Sequence, residues 1–123
     1  MKKCLIVDDS SVIRKVARTL LNDLGYQVLE AETGGAGLAI CADEMPDAIL
    51  LDWDLPDMSG FDFLVAFNRR CSGPRRPHIV YATTENDPRD IARAIATGAS
   101  NYMTVPFDRD GIEACFPHAF AAA

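Results

Sequence analysis

Asp8, Asp9, Asp52 and Thr83 each stand where a short apolar run stops: Cys4-Leu5-Ile6-Val7 ends at Asp8-Asp9, Ala48-Ile49-Leu50-Leu51 at Asp52, and Ile79-Val80-Tyr81-Ala82 at Thr83. Runs of this length bounded by polar residues read as strands buried on both faces of a parallel sheet. Ligands of such sheets bind beyond the carboxyl ends of the strands, so the four residues should converge there. Three carboxylates brought together repel one another, and burial disfavours their charged forms; a divalent cation relieves both costs. Ligation by oxygen alone favours Mg2+ or Mn2+.

The elements that must position these residues follow from periodicity. A strand at Lys3 to Val7 leads into a helix from about Ser11 to Leu24, with Ile13, Val16, Ala17, Leu20, Leu21 and Leu24 at helical spacing. Ser10 or Ser11 can cap that helix and Gly25 can end it. "YQVLEA" reads as the second strand, "GGAGLAICADE" as a short helix stopped by Pro46, and "DAILLD" as the third strand. A helix from about Phe61 to Arg70 should turn Phe61, Leu64, Val65 and Phe67 inward. "HIVYAT" is the fourth strand; Asp87-Pro88 opens a helix that Gly98 closes, with Ile91 and Ile95 on one face; "SNYMTV" is the fifth strand. The last helix must begin near Asp108 to Asp110 and should kink or end near Cys115 to Phe116, because Pro117 removes a donor and clashes with the preceding turn. Strands alternating with helices through short connections imply an α/β fold: a doubly wound parallel sheet with right-handed crossovers and helices on both faces.

Composition excludes several classes. A chain of 123 residues fits one domain spanning 1–123, without room for an output domain. Its 49% hydrophobic and 24% charged residues argue against disorder. A net charge of -6 argues against nucleic acid as the main partner, since phosphate binding needs a concentrated cationic face. No apolar run approaches the ~20 residues needed to cross a bilayer, and no signal peptide is evident. Cys4, Cys41, Cys71 and Cys115 are scattered without a CxxC pair and read as small hydrophobes, consistent with a reduced, cytoplasmic protein. His78 and His118 lack metal-ligand spacing. Arg69, Arg70, Arg75 and Arg76 form a basic cluster, read as a solvated loop face or a docking patch for an acidic partner.

The acidic pair after the first strand, the aspartate of "LLDWDLPDMSG", the threonine of "IVYATTE" and the aromatic and proline of "NYMTVPFD" together resemble the receiver domain of two-component response regulators, in the receiver order and over nearly the whole chain. That resemblance implies a flavodoxin-like (βα)5 fold with strand order 2-1-3-4-5, in a stand-alone, chemotaxis-type receiver. It implies that Asp52 accepts a phosphoryl group, and that Asp8, Asp9, Asp52 and the backbone carbonyl of Asp54 hold Mg2+. Thr83 would contact the phosphoryl group and Tyr102 would be an aromatic switch. The implied partners are a histidine kinase or histidine phosphotransfer protein, and a downstream protein docking on the fourth helix, fifth strand and fifth helix. Such a protein promotes its own phosphorylation and dephosphorylation without being a conventional enzyme. Asp54 and Glu85 match positions flanking the path of an attacking water, and Thr84 stands where the family has a smaller residue.

One position departs from the pattern. The family's lysine before the last proline is Val105 here, and all three lysines, Lys2, Lys3 and Lys15, lie near the N-terminus. In receivers that ammonium pairs with the acceptor aspartate and a phosphoryl oxygen; a charge-assisted hydrogen bond of this kind contributes about 1.5–3 kcal/mol. Its loss keeps open a pseudo-receiver, a binding module that phosphate does not switch. A haloacid-dehalogenase-like phosphatase is the other alternative, with Asp52 and Asp54 as an Asp-x-Asp pair, although the order of the motifs counts against it. The Val105-Pro106 bond is expected to be cis by the same resemblance.

Overall fold

The computed structural model describes residues 2–71, 73–84 and 87–117. Glu85 and His118, two of the positions weighed above, lie outside them. The elements run β1 (Lys3–Val7), α1 (Ser11–Asp23), β2 (Gln27–Ala31), α2 (Gly34–Asp43), β3 (Ala48–Asp52), α3 (Gly60–Arg70), β4 (His78–Thr83), α4 (Pro88–Thr97), β5 (Asn101–Thr104) and α5 (Arg109–Cys115). All strand pairs are parallel and the order is β2-β1-β3-β4-β5, the doubly wound arrangement expected from the sequence.

Alternation along the strands divides the core into two layers. Leu5, Val7, Ile49, Leu51, Ile79 and Tyr81 point to the side covered by α2, α3 and α4. Cys4, Ile6, Ala48, Leu50, Val80 and Ala82 point to the side where Ala17, Leu21 and Leu24 of α1 and Ile112 of α5 pack. Both faces of the three central strands are therefore buried, which is why their sequences are continuously apolar until the polar residue at the carboxyl end.

The helices start where short polar side chains can accept a free N–H. Ser10, rather than Ser11, caps α1; Thr33, Ser59, Asp87 and Asp108 cap α2 to α5. Gly25 takes φ 97°, a conformation that favours glycine, and lets the chain turn from α1 into β2. As expected, α5 ends at Cys115. Its end is held by two side chains: the Tyr26 hydroxyl donates to the Pro117 carbonyl (2.6 Å), and His78 Nε2 lies 2.6 Å from the Cys115 carbonyl. A carbonyl only accepts, so His78 carries its proton on Nε2.

The inward assignment in α3 is corrected, and in α1 and α4 some of the apolar residues at helical spacing stay outside the core. Val16 is 44% exposed, because α1 rests on the sheet through Ala17, Leu21 and the buried Arg14. In α3, Phe63 with Leu64 and Phe67 faces the core, while Phe61 and Val65 are half-buried; the Phe61 ring instead carries the Arg93 guanidinium, 3.9 Å from its centroid. In α4, Ala94 is the core residue, Ile91 is half-buried and Ile95 is 42% exposed.

Candidate functional site

The parallel register places the carboxyl ends of β1, β3 and β4 level with one another. Val7 pairs with Leu51, so Asp8 and Asp52 emerge side by side; Asp52 pairs with Ala82, so Thr83 follows one residue further. The Trp53 N–H donates to the Ala82 carbonyl (2.9 Å) and ties the start of the next loop to β4. One ligand oxygen from each of Asp8, Asp9 and Asp52 lies within 4.8 Å of the others. Asp8 is buried, Asp52 half-buried and Asp9 exposed, so the trio runs from the interior to the surface.

Each loop is fixed by local polar contacts. Asp8 Oδ1 accepts from the Ser10 N–H (2.8 Å), and Ser10 Oγ accepts from the Ile13 N–H (3.2 Å), so the acidic pair and the start of α1 form one turn. After β3 the chain folds back: the Gly60 N–H donates to the Trp53 carbonyl (2.8 Å), the Leu55 N–H to the Met58 carbonyl (3.1 Å), and Asp54 bridges Ser59. Gly60 is required by closeness. A Cβ there would lie 2.7 Å from the Asp52 carbonyl oxygen and 2.7 Å from the Tyr81 ring. Asp57, in the same loop, accepts from the first two N–H groups of α2, Gly34 (2.8 Å) and Gly35 (2.9 Å).

The electrostatics are those of a site short of positive charge. Burial, then the neighbouring Asp8 carboxylate, pushes Asp52 up to about 7, against the opposing pull of the Asp54 backbone N–H. Asp8 is also raised, chiefly by burial and further by Asp9; the Ser10 N–H and the Arg14 guanidinium act in the other direction. A divalent cation fits this donor set: three carboxylates with all-oxygen chemistry, and an Asp52 whose charged form burial and Asp8 disfavour.

The remaining positions lie around this edge. Thr83 is fully buried, and its carbonyl accepts from the Val105 N–H (3.0 Å), which extends the β4–β5 pairing by one residue and sets Val105 beside Thr83. The Val105-Pro106 bond is cis, as expected. The Val105 side chain is half-buried and packs into the apolar layer shared with α1 and α5. Tyr102 is 44% exposed on β5 and Thr84 is exposed. Asp54 is exposed in the loop that follows the acceptor strand.

Two residues of the site's surroundings were not apparent from the sequence. Arg14 sits on the apolar face of α1 between Ile13 and Ala17, and a lone charge interrupting a core stripe is the signal that could have marked it. Asp57 left no such signal, since its partners are 23 residues away.

Comparison with known proteins agrees with this fold. The pattern of the response regulator receiver domain matches residues 4–116, and the chain belongs to that family. It is 37% identical over 107 residues to the chemotaxis protein CheY1 of Helicobacter pylori, covering 85% of this chain and 86% of that protein. Protein PilH of Pseudomonas aeruginosa is 33% identical over 110 residues, covering 89% and 90%. The transcriptional regulatory protein KdpE of Mycobacterium tuberculosis is 36% identical over 110 residues, and there the chain spans only 47% of the relative's length. Among solved structures, the chemotaxis protein CheY4 of Vibrio cholerae superposes with a TM-score of 0.83 at 34% identity, covering 91% of this chain and 92% of that one. Receiver domains are signalling modules of two-component systems that interact with histidine kinases and downstream effectors, and they are not conventional enzymes. The phosphatase and pseudo-receiver alternatives find no support in these matches. Among the described residues, no helix is long and apolar enough to cross a membrane.

Proposed function

We propose that the chain is a phosphoacceptor of a two-component phosphorelay in the cytoplasm, taking a phosphoryl group on Asp52 from a histidine kinase or histidine phosphotransfer protein. The observation that carries this reading is the convergence of the Asp8, Asp9 and Asp52 carboxylates at the carboxyl edge of the sheet. Asp8, Asp9, Asp52 and the Asp54 backbone carbonyl would hold Mg2+, or Mn2+ in its place. When bound, the cation supplies positive charge to the carboxylates and to the oxygens of the transferring group.

The chain's own residues then have separate tasks. A carboxylate oxygen of Asp52 attacks phosphorus; the new O–P bond forms as the donor's bond to phosphorus breaks, and the electron pair of that bond leaves with the donor group. Burial keeps competing water away from one side of Asp52, and the turn at Ser10 keeps Asp8 directed at it. The Thr83 hydroxyl would donate to a phosphoryl oxygen. Tyr102 of β5, exposed like Ile95 of α4, is the aromatic whose movement would present the surface formed by α4, β5 and α5 to a downstream protein. Asp54 and Thr84 add negative charge and bulk at the mouth.

Intact mass after incubation with acetyl phosphate and Mg2+ tests the reading. One phosphate should be added to the wild type and none to Asp52→Ala; a phosphate that survives Asp52→Ala would overturn the assignment.

A further inference from the structure

We propose that Arg14 is a positioning residue for the acidic site: its guanidinium, held in a fork by Glu30 and Glu32, fixes the main chain of Asp8 so that the Asp8 carboxylate faces Asp52 and a bound cation. The inference rests on the reading of the carboxylate trio as an Mg2+ site.

Arginine is almost never buried without partners, yet Arg14 is only 9% exposed. Its nitrogens meet three acceptors from two directions. Nη1 donates to the Asp8 carbonyl (2.8 Å), Nε to Glu30 Oε1 (3.0 Å) and Nη2 to Glu32 Oε1 (3.4 Å). Glu30 is itself fixed through its second oxygen, which lies 2.8 Å from Arg18 Nη1. The planar guanidinium therefore has one orientation, set by β2 and its following residue, and it delivers that orientation to the backbone of Asp8.

Asp8 is then held at its N–H, its carbonyl and one carboxylate oxygen. Its N–H donates to the Ala31 carbonyl (3.0 Å), its carbonyl accepts from Arg14, and its Oδ1 accepts from the Ser10 N–H. The carboxylate cannot swing away from Asp52 unless one of these contacts breaks. Orientation, more than charge, is the contribution of Arg14: Glu30 and Glu32 offset its positive charge, and with Arg18 the group is close to neutral overall. Partners of this kind, one step behind the groups that hold a metal, typically change its affinity by 10–100-fold when removed.

The test compares wild type, Arg14→Met, Arg14→Lys and Arg18→Met in two measurements: Mg2+ titration followed by Trp53 fluorescence, and the rise in melting temperature on adding Mg2+. That rise is taken relative to each variant's own metal-free value, so a general loss of stability cancels. Arg14→Met should bind Mg2+ roughly tenfold more weakly, with a correspondingly smaller thermal increment. Arg14→Lys keeps the charge but cannot fork between the Asp8 carbonyl and Glu30; it should remain several-fold weaker than wild type, and it serves alone if Arg14→Met fails to fold. Arg18→Met, which leaves the bond from Arg14 to the Asp8 carbonyl in place and removes only a contact behind Glu30, should lose clearly less affinity than Arg14→Met. Wild-type affinity in Arg14→Met or Arg14→Lys, or an equal loss in Arg18→Met, would overturn the inference alone. A wild-type protein without any Mg2+ response would overturn the metal reading and this inference with it.

Discussion

Asp57 and Gly34 join two parts of the chain that share no strand pairing: the carboxylate of the loop after β3 accepts the first N–H of α2 at 2.8 Å, and its other oxygen accepts the next one, from Gly35, at 2.9 Å. The loop that carries Asp54 is thereby anchored to a helix N-terminus, where free N–H groups and the helix dipole favour negative charge. The same two N–H groups hold the Asp57 carboxyl below its ordinary value.

Asp57→Ala should therefore lower the melting temperature by several degrees at neutral pH and loosen the loop after β3. A lowered carboxylate contributes stability that is present above the unfolded value of about 3.9 and lost as pH falls through the folded value. The difference between wild type and variant should accordingly shrink in acid. Equal differences at neutral pH and well below the folded value would show that the capping contact contributes little.

Asp52 gives the opposite sign. Its carboxyl titrates near 7 in the folded, metal-free protein and near 3.9 when unfolded, so between these values the folded state keeps a proton that the unfolded state has released. Metal-free stability should fall as pH rises through that window. Because Mg2+ competes with the proton, the thermal increment it gives should grow with pH and level off above about 7; at ten times its dissociation constant the cation contributes about 1.4 kcal/mol. Calorimetric melts across that range check this, and an increment independent of pH would contradict it.

Gly60→Ala should cost about 1–3 kcal/mol by overpacking, since the added methyl would meet backbone at Asp52 and the Tyr81 ring, both at 2.7 Å. Relief would require a shift of the Tyr81 ring and of the backbone at residue 60 or at Asp52 and Trp53. Urea denaturation should report the loss, and the yield of phosphorylated protein from acetyl phosphate should fall at a temperature where the variant remains folded.

Tyr81→Phe removes the hydrogen bond from the buried Tyr81 hydroxyl to Asp90 Oδ2 (3.0 Å), which links β4 to α4. About 1 kcal/mol should be lost. Amide exchange should rise in α4 more than in α1; a uniform change would show that the bond does not hold α4 in particular.

Val105→Lys restores a cation beside Thr83. A beryllofluoride phosphate mimic should shift the resonances of Thr83 and Tyr102 in the wild type, and the shifts should be larger in the variant. A large wild-type response that the lysine does not increase would show that metal and threonine suffice to move the β4–β5 edge.

The sheet and its order were legible because the central strands are buried on both faces and end abruptly at Asp8, Asp52 and Thr83, so composition and punctuation coincide. Placement of the acidic trio followed from that alone. Helix faces were less legible: Val16, Phe61 and Ile95 have the right chemistry for the core, but which of several apolar residues turns inward depends on how closely each helix approaches the sheet. Asp57 acts through backbone 23 and 22 residues away, which no sequence spacing marks, whereas Arg14 showed only as a lone charge on a core stripe, with its bond to Asp8 hidden until the turn was seen. Val105 was visible as a departure, whereas its packing against the α1–α5 layer depends on tertiary structure that brings it, with Leu20, Phe107 and Cys115, to the edge of that layer.

Helix ends ordinarily fray, and a seven-residue helix followed by proline would be expected to unwind readily. In α5 the two carbonyls at that end are clasped by Tyr26, from the turn into β2, and by His78, at the start of β4. Unwinding from this end must first break contacts that span 91 and 37 residues of chain, so the last turn opens only together with the sheet beneath it. The shortest helix of the fold is thus drawn into its global cooperativity, and its amides should exchange at rates closer to those of the strands than its length would suggest.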